Sequence, residues 1–350
     1  MIDETRPSTG TDPVVALRRA AYLLERGRES TYRVKAFRGA AAALAALPAD
    51  EVARRSQEGT LTAVRGVGER TAAVAADAVA GRTSEYLAGL EERFAGPLAP
   101  DGLDVLALLR GDLHAHTDWS DGGSPVADMA AAAAGLGREY QAITDHSPRL
   151  RVANGLSAER LRAQIDEVAA VQAGCPDGFT LLTGIEVDIL DDGALDQDPD
   201  LLARLDVVVA SAHSKLAMAH DPMTERLLAA VRDPHTDVLG HCTGRLVGSG
   251  RGSRAPSTFD VAAVFAQCAA SGVAVEINAQ PERCDPPDDL LAVAVDAGCL
   301  FAVDSDAHAP GQLGLLEHGA ARVARLGIPV DRIVTTWPLA DLRAWLERGR

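Results

Sequence analysis

The first hundred residues of the chain carry the apolar spacing of α-helices. Apolar residues recur every three or four positions through 14–26, 32–47 and 70–80, so each stretch can bury one face. The pattern predicts a small all-α domain over residues 12–96, followed by a short linker at 97–110.

A different pattern begins at residue 111, where short apolar runs alternate with helical stretches. Parallel strands covered by helices give such alternation, because each buried strand is apolar throughout and a crossover helix follows it. We therefore expect an α/β domain over residues 111–345 whose parallel sheet closes into a barrel. The predicted strands that follow the first one read YQAIT, TLLTGIEV, DVVVASA, DVLG, VAVEIN, CLFAVDS and RIVTT.

Charge is divided unevenly between these two parts. The 350-residue chain has a net charge of −16, yet residues 1–100 hold 14 Lys and Arg against 13 Asp and Glu, a net of +1. The other 250 residues hold 20 basic against 37 acidic residues, a net of −17. A strongly acidic surface disfavours nucleic acid. The division keeps nucleic acid open as a partner of the helical part, and divalent metals could offset acidic charge in the barrel.

The sequence predicts neither secretion nor a membrane span. Its first 13 residues, MIDETRPSTGTDP, are polar and lack the apolar segment of a signal peptide. Its most apolar stretches are Ala-rich and shorter than the roughly 18 residues that a bilayer requires. The five cysteines are scattered without a CxxC pair, which is typical of reduced thiols. We expect a cytoplasmic protein, and the oligomeric state stays open.

Histidines and carboxylates collect where the predicted strands end. The carboxyl ends of parallel barrel strands meet on one face, so these side chains are expected to converge there. Imidazole and carboxylate are ligands of Zn, Mn or Fe. One strand-end histidine alone is more often structural, but so many together indicate a metal site. The candidate ligands are His114, His116, Asp121, His146, Glu186, His213, His241, Asp306 and His308.

These motifs resemble those of the PHP family, the polymerase and histidinol phosphatase phosphoesterases. GDLHAHTDWSDG, AITDHSPRLRVANGLS, LLTGIEVDIL, VVASAHS, VLGHCTGRL, VEINAQPER and SDAH follow the family's order within residues 109–345. The resemblance is strongest to the PHP domain that ends bacterial family X DNA polymerases. It implies a distorted, TIM-like (β/α)7 barrel with a trinuclear centre on its C-terminal face. Cys242 and Gln280 depart from the family pattern, where Pro and Asn are common.

The resemblance also implies how the ligands divide among three divalent metal ions, either Zn, Mn or Fe. One carboxylate would serve two metals, and the three sets would be His114, His116, Glu186 and Asp306; Glu186, His213 and His241; and Asp121, His146 and His308. Glu186, Asp306 and His308 are the predicted catalytic residues. Because metal-bound water is more acidic than free water, such a centre would hydrolyse a phosphate ester.

Basic residues beside these motifs are candidates for binding the phosphate of the substrate. By default each of them is an ordinary surface cation, and Arg245 and Arg283 are the stronger candidates. The sequence identifies no separate general acid. The candidates are Arg149, Lys215, Arg245 and Arg283.

The helical part resembles the small N-terminal domain of the same polymerases, through YRVKAFRGAAAAL and GTLTAVRGVGERTAAVAADAVAGRTSEYLAGL. Within it, LTAVRGVGERTAAVA is similar to a helix-hairpin-helix motif. Gly66 and Gly68 would let a DNA phosphate approach backbone amides, and Arg65 and Arg70 would add charge. A tight turn between packed helices is the competing interpretation.

Two features argue against polymerase and lyase activities. The linker at 97–110 leaves no room for the fingers, palm and thumb of a polymerase. The lyase form of the small domain uses a Schiff-base lysine, and Val74 stands at that position of the resemblance.

The favoured interpretation is a metal-dependent phosphoesterase that processes DNA 3′ ends, as an exonuclease or phosphatase in DNA repair. A phosphatase of small phosphate esters, similar to histidinol phosphatase, is an alternative that the acidic barrel favours. A non-catalytic DNA-binding module with a vestigial barrel is another, and the complete ligand set argues against it.

Overall fold

The computed structural model describes residues 3–6, 12–249 and 252–349. Residues 1, 2 and 7–11 of the polar N-terminal stretch therefore lie outside the described residues. In the described part of the chain, no helix is long and apolar enough to cross a membrane. The first five helices are α1 (Pro13–Arg26), α2 (Thr31–Ala45), α3 (Ala49–Glu58), α4 (Glu69–Val79) and α5 (Glu85–Phe94).

Helix α1 lies at the centre of this helical part and packs against α2, α4 and α5. It begins after Asp12, whose carboxylate accepts hydrogen bonds from the amides of Val14 and Val15. Its Leu17 and Leu23 are fully buried, as the helical spacing predicts. The five helices thus share one apolar core of their own.

Among the described residues, nine strands follow the helical part: β1 (Gly111–Asp112), β2 (Tyr140–Ile143), β3 (Thr180–Asp188), β4 (Val207–Ser211), β5 (Val238–Leu239), β6 (Leu246–Ser249), β7 (Gly252–Arg254), β8 (Ala274–Asn278) and β9 (Leu300–Asp304). Seven of them form a parallel sheet in the order β1-β2-β3-β4-β5-β8-β9. The short antiparallel pair β6–β7 follows β5 in the chain and lies outside this sheet.

The two edge strands of the sheet meet, which makes it a nearly closed, distorted barrel. On the C-terminal side, Ala115 and Ala307 form a parallel bridge, and the amide of His116 donates to the carbonyl of Ala307 at 2.7 Å. On the other side, Thr335 lies in the seam and accepts from the amides of Arg110 and Val303. The predicted (β/α)7 barrel preceded by an all-α part is confirmed.

Helices cover the outside of the barrel, and its apolar strands are buried against them. They are α6 (Leu103–Leu106), α7 (Val126–Gly135), α8 (Ala158–Gln172), α9 (Pro199–Leu202), α10 (His220–Arg232), α11 (Val261–Ser271), α12 (Asp288–Asp296), α13 (Leu316–Leu326) and α14 (Leu339–Leu346).

The prediction of a strand at RIVTT is wrong. This stretch forms two 3₁₀ turns, Val330–Arg332 and Val334–Thr336. Ile333 makes a single bridge to Phe301, and the side chain of Thr335 bonds to β9. The segment forms turns because it lies in the gap between the two edges of the barrel. There Thr335 accepts hydrogen bonds from both sides, from Arg110 and from Val303.

The helical part is fixed to the barrel by buried polar contacts. Arg26 at the end of α1 pairs with Glu317 of α13 at 2.6 Å, and both side chains are only 8% exposed. The carboxylate of Glu317 also accepts from the amide of Leu98 at 2.5 Å. At Gly311 an added Cβ would lie 2.1 Å from the carbonyl of Tyr22, so α1 lies directly on the segment that follows β9.

Candidate metal centre

All nine candidate ligands lie at the carboxyl end of the barrel. His114 and His116 follow β1, and His146 follows β2. Glu186 is near the end of β3, and its amide is hydrogen-bonded to the carbonyl of Thr144 beside it. Strands β4, β5 and β9 bring in the remaining ligands except Asp121, namely His213, His241, Asp306 and His308.

Glu186 is the centre of the cluster and is 1% exposed. Its Oε1 lies 2.8 Å from Nε2 of His241 and 3.2 Å from Nε2 of His213. Its Oε2 lies 2.7 Å from Nδ1 of His146 and 3.5 Å from Nε2 of His114. Nε2 of His116 lies 3.7 Å from the same Oε2, so one carboxylate faces five imidazoles with its two oxygens.

A second group of contacts surrounds Asp121 and Asp306. Oδ1 of Asp121 lies 3.4 Å from Nε2 of His308 and 3.5 Å from Nε2 of His146. Oδ1 of Asp306 lies 3.3 Å from Nε2 of His116. Asp306 has a φ of 50°, a left-handed conformation that costs a non-glycine residue free energy and is found mainly at functional sites.

Three sets of these side chains each bring their ligand atoms within 4.8 Å of one another. The sets overlap, because His116, His146 and Glu186 each belong to two of them. They are His116, Asp121, His146 and His308; His114, His116 and Glu186; and His146, Glu186 and His213.

The chemistry of the cluster fits bound cations. Several of its buried polar atoms have no hydrogen-bond partner within the described structure, among them Nε2 of His114, Nε2 of His116, Nε2 of His213 and Oε2 of Glu186. A buried polar atom without a partner costs about 1–3 kcal/mol. Divalent cations would satisfy these nitrogen and oxygen atoms together, so the donor set and its burial fit a metal centre.

The pKa values show how strongly the members of the cluster interact. Burial by itself would raise the pKa of the Glu186 carboxyl, but His213, His146 and His114 hold it well below its usual range. Burial, together with His308 and His146, lowers the pKa of His116 to about 3. The His116 ring is therefore neutral at neutral pH, the form in which imidazole binds a metal.

Two acidic residues that the sequence analysis missed orient the histidines from behind. Oε1 of Glu276 lies 2.5 Å from Nδ1 of His114, and its Oε2 accepts from the amide of His241 at 2.5 Å. Oδ1 of Asp188 lies 3.3 Å from Nδ1 of His213 and also accepts from the amide of that residue at 3.0 Å. Such contacts fix which ring nitrogen faces the centre. The position of Glu276 in the predicted strand VAVEIN could have indicated this role, because alternate residues of a strand point to the same face of the sheet.

Asp306 is held by two partners, one at the end of β8 and one in the segment that follows it. Nδ2 of Asn278 donates to its Oδ2 at 3.1 Å, and Nε of Arg283 donates to the same oxygen at 2.9 Å. Arg283 is therefore beside the ligand cluster, where it was predicted to bind phosphate. Burial opposes a charge on Arg283, but Asp306 and Glu186 raise the pKa of its guanidinium.

The other predicted phosphate-binding cations lie farther out. Arg149 is within 3.6 Å of Oδ2 of Asp188, and Lys215 pairs with Asp191 at 2.5 Å. Arg245 donates from Nε to the carbonyl of Arg283 and lines a separate cavity that contains Arg322. These three roles stay predictions.

The predicted DNA-contacting residues form an exposed turn between α3 and α4. Gly66 has a φ of 93°, and Gly68 precedes the first residue of α4. Arg65 and Arg70 are exposed, and the guanidinium of Arg70 lies 5.2 Å from the ring centroid of Tyr86. The helix-hairpin-helix interpretation and the DNA contacts of this turn stay predictions.

A parallel barrel with a histidine and carboxylate cluster at its carboxyl end defines the class of metal-dependent hydrolases. The family model of the PHP domain matches residues 112–280. A protein of Shewanella sediminis named "Probable phosphatase" is 30% identical, with the match covering 68% of this chain and 94% of that protein. The chain belongs to the PHP family, and it is a metal-dependent phosphoesterase.

Two further comparisons concern a longer protein and a solved structure. The "DNA polymerase/3'-5' exonuclease PolX" of Bacillus subtilis is 36% identical over 71% of this chain, but the chain covers only 43% of that protein. The histidinol phosphate phosphatase of Lactococcus lactis, solved with zinc, L-histidinol and phosphate, aligns with a TM-score of 0.47 and 18% identity. That alignment covers 63% of this chain and 95% of the phosphatase.

Proposed function

We propose that this phosphoesterase processes the 3′ ends of DNA, as an exonuclease or phosphatase, with three divalent metal ions in its barrel. The observation that carries the trinuclear part is the ligand cluster around Glu186, in which three overlapping sets of side chains each converge within 4.8 Å. One carboxylate that faces five imidazoles is suited to hold two cations at once.

In this proposal the ligands divide among the three metals as the family resemblance implies, with Glu186 as the shared carboxylate. The observed sets differ in two places, because His116 also lies close to the Asp121 group and His146 also lies close to Glu186 and His213. Zn, Mn and Fe all fit imidazole and carboxylate ligands. Bound divalent cations supply an acidified water and neutralise charge that develops on the phosphoryl group.

The side chains of the protein hold this centre in place and bind the substrate beside it. Glu276 and Asp188 orient His114 and His213. Arg283 holds Asp306 and carries positive charge to the edge of the cluster, where a phosphate oxygen would approach. Arg149, Lys215 and Arg245 are further candidates for phosphate contact.

The helical part supports DNA as the substrate. Its turn at Gly66 leads into the N-terminus of α4, and a helix N-terminus can bind phosphate without reading bases. The amide of Gly68 donates to Oγ1 of Thr71 at 2.9 Å, so a phosphate would approach the other amides of this turn. Its near-neutral charge contrasts with the acidic barrel. The Bacillus subtilis relative carries "3'-5' exonuclease" in its name.

A second candidate is a phosphatase of small phosphate esters. Relatives named "Probable phosphatase" match over 89% to 95% of their length, so the barrel alone accounts for whole proteins of that name. The net charge of −17 on residues 101–350 also favours a small substrate over a polyanion.

One comparison of substrates separates the two candidates. With added Mn²⁺, we would measure nucleotide release from 3′-ended DNA and phosphate release from small monoesters. The proposal predicts a higher kcat/KM on DNA. Efficient turnover of monoesters with none on DNA would contradict it and favour the second candidate.

A further inference from the structure

A cleft of about 550 Å³ lies between the helical part and the open face of the barrel. One wall carries Asp121, Asp306 and His308 of the candidate metal centre. The opposite wall comes from the end of α1, the loop after it and the first half of α2, which includes Lys35. A substrate in the cleft would touch the metal centre and α2 together.

The acidic side chains of this cleft, outside the proposed ligands, are already neutralised. Three glutamates line it, and each is in an ion pair: Glu25 with Arg38, Glu29 with Arg33 and Arg93, and Glu282 with Arg28. Lys35 differs from them, because it is exposed and forms no ion pair with any described residue. Its ammonium group is therefore available to an anion in the cleft.

An aromatic side chain lies next to this lysine on the surface of α2. Tyr32 is 83% exposed, whereas Phe37 on the same helix is buried and stacks on Tyr86. Residues three apart on a helix are surface neighbours. An exposed ring beside a free cation is the combination that binds a nucleotide, since the ring stacks on the base and the cation attracts the phosphate.

The same stripe of α2 leads from the cleft to the exposed turn. Tyr32, Lys35, Gly39 and Ala43 follow the spacing i, i+3, i+7, i+11 that keeps residues on one helix face. A Cβ added at Gly66 would lie 3.9 Å from both the carbonyl of Gly39 and the Cβ of Ala43. The turn thus lies at the far end of the stripe whose near end borders the cleft.

We propose that Tyr32 and Lys35 form a nucleotide-binding site at the mouth of the cleft, which delivers the terminal nucleotide of a DNA strand to the metal centre. Tyr32 stacks on a base, and Lys35 pairs with a phosphate. The substrate class is therefore a phosphodiester that bears a nucleoside. This inference rests on the function proposed above and assigns its specificity to two residues outside the barrel.

Two small substrates test the site without involving the turn. One is the p-nitrophenyl ester of thymidine 5′-monophosphate, and the other is methyl p-nitrophenyl phosphate, the same kind of diester without a nucleoside. Tyr32→Ala should raise KM for the nucleoside ester about tenfold and leave kinetics on the methyl ester within about twofold. Lys35→Ala should leave both esters within about twofold, because Lys35 pairs with a neighbouring phosphate of a DNA strand that neither ester carries. Equal losses on both esters in Tyr32→Ala, or no loss on either, would overturn the proposal.

Matched variants separate the site from general effects of charge and folding. Tyr32→Phe and Lys35→Arg keep the ring and the charge, and they should stay within about twofold of the wild type. Arg54→Ala removes one positive charge from α3, away from the cleft, and should also have no effect. A loss of the same size in Arg54→Ala would mean that overall charge, rather than this site, governs binding.

A binding measurement distinguishes failure of this site from failure of the proposed function. Fluorescence anisotropy of a short fluorescein-labelled oligothymidylate with phosphorothioate linkages reports affinity without turnover. Tyr32→Ala and Lys35→Ala should each weaken its Kd about tenfold. If the wild type releases no nucleotide from 3′-ended DNA while this loss is seen, the proposed function fails and the site stands. An unchanged Kd for the oligothymidylate in both variants would overturn the proposed site, regardless of the catalytic activity of the wild type.

Discussion

Glu186 is the residue on which the proposed centre depends most. Its two oxygens face the rings of His114, His146, His213 and His241, and the carboxylate is buried. A neutral amide at this position would keep the shape but remove the charge that two cations share. Replacing Glu186 should therefore lower activity more than replacing any single basic side chain that contacts the substrate.

We predict that Glu186→Gln lowers kcat/KM at least about 100-fold, or about 2.7 kcal/mol, and reduces the metal content together with it. Arg245→Ala should lower kcat/KM less than about tenfold, because Arg245 lines a separate cavity. Steady-state kinetics and metal analysis of both variants would test this. Near wild-type turnover in Glu186→Gln would show that the shared carboxylate is not needed.

Glu276 supports the centre without facing the substrate. It contacts Nδ1 of His114 and the amide of His241, so it positions two ligands at once. Glu276→Gln should weaken metal affinity about 10- to 100-fold. The control is Glu139→Gln, which alters an exposed acid that pairs with Arg110. Competition with a chelator would measure both, and equal affinities would rule out a positioning role for Glu276.

At the scale of elements, the strand ends that carry the ligands were predictable because ligand and strand are adjacent in sequence. YQAIT, TLLTGIEV, VAVEIN and CLFAVDS are all strands of the barrel. RIVTT was predicted as a strand because it is one of the short apolar runs, but its Thr335 accepts hydrogen bonds from Val303 of β9 and from Arg110, the residue before β1. Such long-range pairing has no local signal, and the same holds for Glu276, which is 162 residues from His114.

The turn between α3 and α4 gives a prediction at this scale. Gly66→Ala should weaken DNA binding severalfold, because a side chain at a φ of 93° would distort the turn. Gly59→Ala is the control, since Gly59 also has a positive φ, of 68°, and ends α3 with open space around it. Anisotropy on labelled DNA would compare them. A similar loss in both variants would indicate general destabilisation.

The ion pair between α1 and α13 should hold the helical part on the barrel. Glu317→Ala would leave Arg26 buried without its partner, so the free energy of unfolding should fall by about 3–5 kcal/mol. Glu58→Ala removes an exposed partner of Arg54 and should cost less than about 1 kcal/mol. Denaturant unfolding would measure both. Equal stability losses would show that the buried pair does not fix the two parts together.

At the scale of the whole molecule, the helical part and the barrel enclose one cleft. The charged residues of the sequence indicated a near-neutral surface for the helical part and an acidic surface for the barrel. How they pack could not be predicted, because it depends on Arg26 meeting Glu317 and on the close approach of Gly311 to α1. These contacts join residues almost 300 positions apart, and they place α2 beside the metal centre.

The central claim is that the ligand cluster of the barrel holds metal ions. Elemental analysis of protein purified without chelator tests it most directly, because it requires no assumption about the substrate. We predict about three transition-metal ions per chain, as the proposed nine-residue ligand set implies. A metal content near zero, even after reconstitution with Zn or Mn, would contradict the account.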